Sequence, residues 1–301
     1  MTGHVLGRLA IEKYVRDDLG LDLPPSLSAS AANVLLTRSP AHARFAHPRL
    51  NPAWESDDSE ASDLGTIAHA MLLEGDESRV VIVESKDYKS SAARVTRYDA
   101  RALGKLPVLA HKLPAIREAV AAARAAIEAS ELGKEWVAGK VEQTLVWKED
   151  GVWCRCRPDW FARDGRILAD LKFTGGCAEP EAWSRGMLLS MGYDLQAAFG
   201  LAGARRFFGR EDWPAPVFVF VVVETDPPYA TSFVSLDPQW LEFAERKRQR
   251  AVALWRECME RNDWPGYDTR VQYASPPEYA VYRWGEREAL SGRTEGTVED
   301  L

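Results

Sequence analysis

The stretch 157–176, RPDWFARDGRILADLKFTGG, contains charged side chains whose spacing could support ion binding or acid–base chemistry. Alternating apolar residues predict a strand over 167–174, and this alternation places Asp170 and Lys172 on the same strand face. A tight Asp-Gly turn before the strand predicts a hairpin that brings Asp159 beside Asp170. The pair is therefore either an exposed ion pair, worth under about 1 kcal/mol, or a reaction centre.

The chemistry that these side chains would support is hydrolysis of a phosphate ester. Two carboxylates a few ångströms apart suit a hard divalent cation such as Mg²⁺ or Mn²⁺. Such an ion polarises a phosphodiester, lowers the pKa of a bound water and stabilises the leaving oxygen. Lys172 would orient or deprotonate that water and offset phosphate charge.

The elements that must position these residues follow from hydrophobic periodicity. A period of two begins at Val141 and predicts three strands joined by turns, before strands near 217–225 and 229–236. Helices are predicted over 114–130, 181–208 and 237–262. A further helix over 24–46 would be capped by Ser26 or Ser28 and interrupted at Pro40, and another would be capped by Ser62 or Asp63.

This order of elements predicts an α/β (α+β) fold with a central sheet flanked by helices. No linker of Pro, Gly and Ser divides the chain, so we expect one catalytic domain over residues 24–265. Residues 1–23 would form an N-terminal extension, and residues 266–301 a partly disordered C-terminal extension that is loose beyond Gly285.

Composition restricts the function classes. Apolar residues make up 46% of the 301 residues, which argues against general disorder. The net charge of −7 argues against a non-specific coat for nucleic acid but allows a nuclease with a local basic lining. Each candidate lining is more often a solvated helix face: Arg38–Arg44, Arg94–Arg97–Arg101, Arg205–Arg206–Arg210 and Arg246–Lys247–Arg248–Arg250.

Apolar runs and cysteines point to the cytoplasm. The longest apolar run, Val217–Val223, is too short to span a bilayer, and the N-terminal residues contain no signal-peptide core. The four cysteines are too scattered for a disulfide framework, so we expect them to be buried and free. We therefore expect a cytoplasmic protein that does not associate with membranes.

With these residues in view, RPD…DLK resembles the motif of the PD-(D/E)XK nuclease superfamily. Four further segments resemble phage-type exodeoxyribonuclease VIII proteins, which are related to lambda exonuclease. They follow in the same order over roughly residues 26–208: SASAANVLLTRSPAHARF, GTIAHAMLLEGD, VEQTLVW…GVWCRCRPDW and GYDLQAAFG.

The resemblance implies roles for individual residues. It makes His69, Asp159 and Asp170 metal ligands with the backbone carbonyl of Leu171, and it makes Lys172 the catalytic lysine. Without the resemblance, a histidine satisfied in the core would be the default for His69. The resemblance also assigns Glu142 and Gln196 to the catalytic site, and we expect Arg38, Tyr193 and Thr174 to contact DNA. Two residues depart from the family pattern: Phe173 follows the lysine where the family often has threonine, and Gly200 follows the Q-A-A-F segment where the family tends to have tyrosine.

The resemblance also implies an activity. It implies a PD-(D/E)XK core that uses Mg²⁺ or Mn²⁺, as two ions, in an ATP-independent exodeoxyribonuclease acting 5′ to 3′ on double-stranded DNA ends. Its single-stranded tails would pass to a phage-type annealing recombinase, and the protein would form a trimeric or tetrameric ring. The alternatives are a structure-specific or restriction-type endonuclease, a DNA-end-binding recombination accessory, and a hydrolase of small phosphate esters.

Overall fold

The computed structural model describes residues 3–55, 60–75, 77–209 and 215–294. The strands are β1 Gly3–Arg8, β2 Val80–Val83, β3 Leu106–Leu109, β4 Lys140–Val141, β5 Gln143–Glu149, β6 Val152–Cys156, β7 Trp160–Phe161, β8 Ile167–Thr174, β9 Val217–Glu224 and β10 Thr231–Ser235. The helices are α1 Ile11–Val15, α2 Ala29–Thr37, α3 Pro40–Ala46, α4 Glu60–His69, α5 Ser91–Ala102, α6 Leu113–Ala129, α7 Gly133–Trp136, α8 Pro180–Ser190, α9 Tyr193–Phe208, α10 Pro238–Arg261 and α11 Glu278–Thr294.

The central sheet has five strands in the order β10-β9-β8-β7-β4. Strands β8 and β9 run parallel, whereas the other neighbours are antiparallel, so the sheet is mixed, as the resemblance to PD-(D/E)XK nucleases implies. Strand β8 lies in the middle and is covered on both faces. Leu168 packs in the core formed with α2, α9 and α10, whereas Ala169 and Leu171 pack in a second core that includes α4 and α6.

The strand meander predicted from Val141 is divided between two sheets, which corrects the expectation of one sheet. Strands β5 and β6 pair with β1 in a separate three-stranded antiparallel sheet. Helix α9 packs against this sheet, and an added Cβ at Gly203 would lie 2.9 Å from the Cys156 sulfur. The N-terminal residues 3–8 thus belong to a sheet.

Two predictions about helices are wrong. The single helix expected over 181–208 is two helices, because Gly192 adopts a φ of +69° that turns the chain between α8 and α9. The chain beyond Gly285, expected to be loose, continues as helix α11 to Thr294. Helix α4 begins at Glu60, before the expected caps Ser62 and Asp63. The side chains of Ser62 and Asp63 lie outside the described part of the chain. Arg210, from one of the candidate basic linings, also lies outside it.

Other helix predictions are confirmed. Helices α2 and α3 are separate at Pro40, and Ser28 caps α2 by accepting from Ala31 N. All four cysteines are free and three are buried, as expected, but the expectation of burial is wrong for Cys177, which is exposed in the loop between β8 and α8. Within the described residues, no helix combines the length and apolarity that a membrane crossing needs.

Strands β2 and β3 form a small parallel sheet that shares no strand with the other two sheets, and α5 connects these two strands along the chain. Leu106 and Val108 of β3 pack in the core with α4, while Leu109 packs with Ala93 of α5. The chain forms two compact units, residues 1–266 and 267–301, and the second contains α11.

Candidate active site

Asp170 and Lys172 lie on the face of β8 that looks towards α9. The Lys172 Nζ is 2.6 Å from Asp170 Oδ2 in an ion pair, and both side chains are largely buried. Gln196 of α9 holds both: its Nε2 donates to Asp170 Oδ1 at 2.6 Å, and its Oε1 accepts from Lys172 Nζ at 2.9 Å. The ammonium also lies 4.1 Å from the centre of the Tyr193 ring.

Asp159 meets this group from the neighbouring strand. The β7–β8 register pairs Trp160 with Ala169, so Asp159 stands opposite Asp170. The backbone N–H of Leu171 donates to Asp159 Oδ2 at 2.7 Å. The predicted hairpin therefore does bring the two aspartates to one place.

His69 ends α4 and reaches the same place from the other face of the sheet. Its Nδ1 is 3.4 Å from Asp159 Oδ2, and its Nε2 is 3.2 Å from the Leu171 carbonyl oxygen. Phe173 lies beside it, with ring centres 5.9 Å apart. The residue that departs from the family pattern thus packs against the proposed histidine ligand.

The surroundings shift the pKa values of the two aspartates in opposite directions. Burial, reinforced by the neighbouring Asp159 carboxylate, raises the pKa of Asp170 to about 6. Burial is also the largest influence on Asp159 and opposes its ionisation, but the charge and hydrogen bond of His69, the charge of Lys172 and the Leu171 N–H together hold the pKa of Asp159 below its usual range. Closely spaced carboxylates of this kind hold their negative charge more readily beside a bound cation.

Glu142 closes another side of the site. Its φ of +53° is rare for a residue other than glycine and costs on the order of 1–3 kcal/mol. Its N–H donates to the Asp159 carbonyl at 2.8 Å, while its carboxylate pairs with Arg157 at 2.8 Å and with Arg8 at 2.9 Å. Arg8 also pairs with Glu74, so strand β1 is linked to the segment after α4.

These side chains line an open cavity of about 800 Å³. The cavity brings together eight of the ten predicted site residues: His69, Glu142, Asp159, Asp170, Leu171, Lys172, Tyr193 and Gln196. Arg38 is exposed and directly follows the C-terminal end of α2. The hydroxyl oxygen of Thr174 accepts a hydrogen bond from the Gly176 N–H. Neither Arg38 nor Thr174 lines this cavity.

A smaller cavity of about 260 Å³ adjoins the first, since both are lined by Arg157, Tyr193 and Gln196. Ser28 and Ser30, at the N-terminus of α2, line it together with Arg155. Arg155 and Arg157 are almost fully buried, and the Nε of each has no hydrogen-bond partner. The small cavity therefore combines a helix N-terminus with two buried guanidinium groups.

Sequence reasoning missed Arg8, Tyr14 and Arg157. Arg157 precedes the Pro-Asp pair directly, so its position beside the motif is a signal that could have found it. Arg8 and Tyr14 lie more than 140 residues before that pair and enter the cavity because β1 joins the β5–β6 sheet. No local pattern marks them.

The donor chemistry at this site fits a divalent cation. Two carboxylates, a backbone carbonyl and an imidazole lie together, which is a set of oxygen and nitrogen donors that such an ion accepts. Within the described ranges, no three His, Cys, Asp or Glu side chains already converge as a ligand cluster. The Asp170 carboxylate is turned instead to Lys172 and Gln196, so ion binding requires these contacts to rearrange.

The mixed sheet and the PD…DxK residues on it define a PD-(D/E)XK-like domain, a class whose nucleases generally use divalent metal ions. Residues 29–276 match the model of the PDDEXK-like domain of unknown function (DUF3799), and the chain belongs to this family.

Solved structures support the fold. The crystal structure of a "Putative exonuclease" from Eubacterium rectale aligns with a TM-score of 0.58 at 14% identity, over 91% of this chain and 98% of that chain. The crystal structure of SSO0001 aligns over 82% of this chain and 87% of that chain at 11% identity, with a TM-score of 0.31 that supports no conclusion. Among proteins with curated descriptions, none matches this sequence.

Proposed function

We propose that this protein is a metal-dependent, ATP-independent exodeoxyribonuclease that hydrolyses linear double-stranded DNA from its ends. The observation that carries the proposal is the group formed by Asp159, Asp170, Lys172 and Gln196, in which two carboxylates and an ammonium meet in one open cavity. Phosphoryl chemistry needs this combination of anionic ion ligands and a nearby cation.

Asp159, Asp170, His69 and the Leu171 carbonyl would hold Mg²⁺ or Mn²⁺, as two ions by resemblance to the family. When bound, the metal supplies a polarised phosphodiester and a water of lowered pKa. Lys172, an ammonium paired with Asp170, would orient this water and offset phosphate charge, and Gln196 sets the position of the ammonium through its 2.9 Å hydrogen bond. Glu142 keeps Arg157 beside the cavity, where its charge can offset a phosphate.

The smaller cavity favours an enzyme that recognises ends over one that cuts within a duplex. Its buried guanidinium groups, serine hydroxyls and helix N-terminus are the usual ligands of a phosphate. A terminal phosphate held there would place the adjoining phosphodiester near Lys172, because the two cavities share Arg157, Tyr193 and Gln196.

The resemblance to exodeoxyribonuclease VIII proteins supports further parts of the proposal. It supports 5′ to 3′ polarity, production of single-stranded tails for an annealing recombinase, a trimeric or tetrameric ring and a cytoplasmic location. These parts rest on that resemblance alone.

The test is digestion of end-labelled linear duplex beside closed circular DNA, each with Mg²⁺, with Mn²⁺ and with EDTA. We expect metal-dependent loss of the linear DNA, survival of the circle, and faster digestion of 5′-phosphorylated than of 5′-hydroxyl ends. Asp159→Ala and Lys172→Ala should each abolish digestion, whereas Lys148→Ala, on an exposed residue that does not line the cavity, should not.

Other outcomes identify the rival functions. Nicking of the closed circle would show an endonuclease. Binding of duplex ends without hydrolysis under any of these conditions would show an accessory protein. Digestion that survives both substitutions would refute the assignment of the centre.

A further inference from the structure

One part of this acidic protein has a reversed charge. Residues 79–112, which comprise β2, α5 and β3 and are here called the basic unit, contain eight lysines and arginines against three acidic residues. The whole chain has a net charge of −7. A local positive region in an acidic protein is the expected electrostatic footprint of a polyanionic partner.

Helix α5 displays three of these charges in a row. Arg94, Arg97 and Arg101 are spaced i, i+3 and i+7, which places them along one side of a helix. The buried side of the helix is formed by Ala93 and Ala100. The guanidinium of Arg97 lies 4.5 Å from the centre of the Tyr88 ring. The arginine row therefore flanks the buried side of α5: Arg94 is exposed, whereas Arg97 and Arg101 are half-buried.

Further cations surround the row. Lys86, Lys89 and Lys105 are exposed, and Arg94 is exposed as well. Lys89 lies 3.8 Å from Asp87, at the outer limit of an ion pair. An exposed ion pair at such a distance contributes little free energy, so the Lys89 ammonium remains available to an external anion.

The basic unit is connected to the active-site cavity through Arg79. This residue lines the cavity, and its Nη2 donates at 3.0 Å to the carbonyl of Gly104, two residues after α5 ends. The C-terminal end of α5 therefore lies next to the cavity. Counted from that end of the helix, the row consists of Arg101, Arg97 and Arg94.

We propose that the basic unit binds the phosphate backbone of double-stranded DNA whose end lies in the active-site cavity. The row from Arg94 to Arg101 spans about 10 Å at a rise of about 1.5 Å per residue, and one DNA strand presents a phosphate about every 3.4 Å of its axis. The row thus spans about three phosphate spacings along one strand. The inference rests on the proposed function, because it takes duplex DNA as the substrate.

The test measures binding of a fluorescein-labelled 30-base-pair duplex by anisotropy between 50 and 200 mM salt. Ca²⁺ replaces Mg²⁺, and the full chain is used. The variant Arg94→Gln/Arg97→Gln/Arg101→Gln is compared with the wild type and with Lys148→Gln/Arg163→Gln/Arg250→Gln. The control removes the same charge from exposed residues that do not line the cavity.

Three lost phosphate contacts reduce the slope of log affinity against log salt by about 2.7. The ratio of affinities at 50 and 200 mM salt should therefore be about 40-fold smaller in the arginine variant than in the wild type. The control should keep the wild-type slope. If the triple variant does not fold, Arg94→Gln alone should lower the slope by about 0.9.

An unchanged slope in the arginine variant, or an equal loss in the control, would overturn the inference. A wild type that does not bind the duplex would overturn it too. Digestion of linear duplex by the wild type with Mg²⁺ is measured in parallel. Digestion by the wild type combined with an unchanged slope in the arginine variant would refute DNA binding by the basic unit but not the nuclease activity. Salt-sensitive binding without digestion would refute the nuclease activity but not DNA binding by the basic unit.

Discussion

Acid should destabilise this protein through one buried histidine, His47. The residue follows α3 and is 1% exposed. Its Nε2 lies 3.1 Å from the Ser26 carbonyl oxygen, and its Nδ1 accepts from the Arg49 N–H at 3.2 Å. Both ring nitrogens are satisfied by the neutral imidazole. A proton added at Nδ1 would face the Arg49 N–H and remove that hydrogen bond.

The charged groups around the ring oppose protonation on balance. Burial and the charge of Arg155 lower the pKa of His47 to about 4, Arg49 adds to the effect, and Asp17 opposes it. The unfolded chain has a pKa near 6.5 and therefore binds the proton first as pH falls. The contribution to stability is complete above pH 6.5 and is lost as pH falls towards 4.

The magnitude follows from the two pKa values. Each unit of difference corresponds to about 1.36 kcal/mol, so the full effect is about 3 kcal/mol, of which about 2 kcal/mol is lost between pH 7 and pH 5. This is a large part of a typical free energy of unfolding of about 5–15 kcal/mol. Other groups titrate over the same range, so the effect of His47 must be measured as a difference.

The assay is urea unfolding of the wild type and of His47→Gln at pH 7 and pH 5. Glutamine keeps a donor and an acceptor but does not titrate. We expect the wild type to lose about 2 kcal/mol more than the variant between these pH values. The control, His111→Gln on an exposed histidine, should lose as much as the wild type. Equal losses in the wild type and His47→Gln would refute the reasoning.

Two further predictions concern α9. Gln196→Ala leaves Lys172 and Asp170 without their shared partner and should lower kcat on labelled duplex about 100-fold with an unchanged Tm; a wild-type kcat would contradict this. Gly200→Ala places a Cβ 2.6 Å from Phe218 Cε2 and should lower the free energy of unfolding by about 1–3 kcal/mol in urea. Gly186→Ala, with open space around the new Cβ, is the control and should not destabilise; equal stability of the two variants would disprove the crowding.

The contact at Gly200 also explains a departure from the family pattern. The resemblance places a tyrosine at this position, but α9 approaches β9 so closely that Phe218 occupies the space beside the glycine. A larger side chain would need Phe218 to move. The sequence shows the departure, whereas the reason for it lies in the packing of two elements.

The sequence by itself determined the local part of the site. Strand alternation fixes Asp170 and Lys172 on one face, and the Asp-Gly turn fixes which residues of the hairpin face each other, so Asp159 and Asp170 come together as predicted. These relations depend on backbone geometry over a few residues. They are therefore readable without knowledge of the rest of the fold.

Tertiary structure alone decided what surrounds that hairpin. The break at Gly192 divides the expected long helix, and the division allows α9 to present Gln196 to both Lys172 and Asp170. Likewise, β1 joins the sheet of β5 and brings Arg8 to Glu142, 134 residues away. Contacts over such separations depend on how complete elements pack together. Short-range periodicity holds no information about them, and for this reason the sequence predicts the reacting group but not its enclosure.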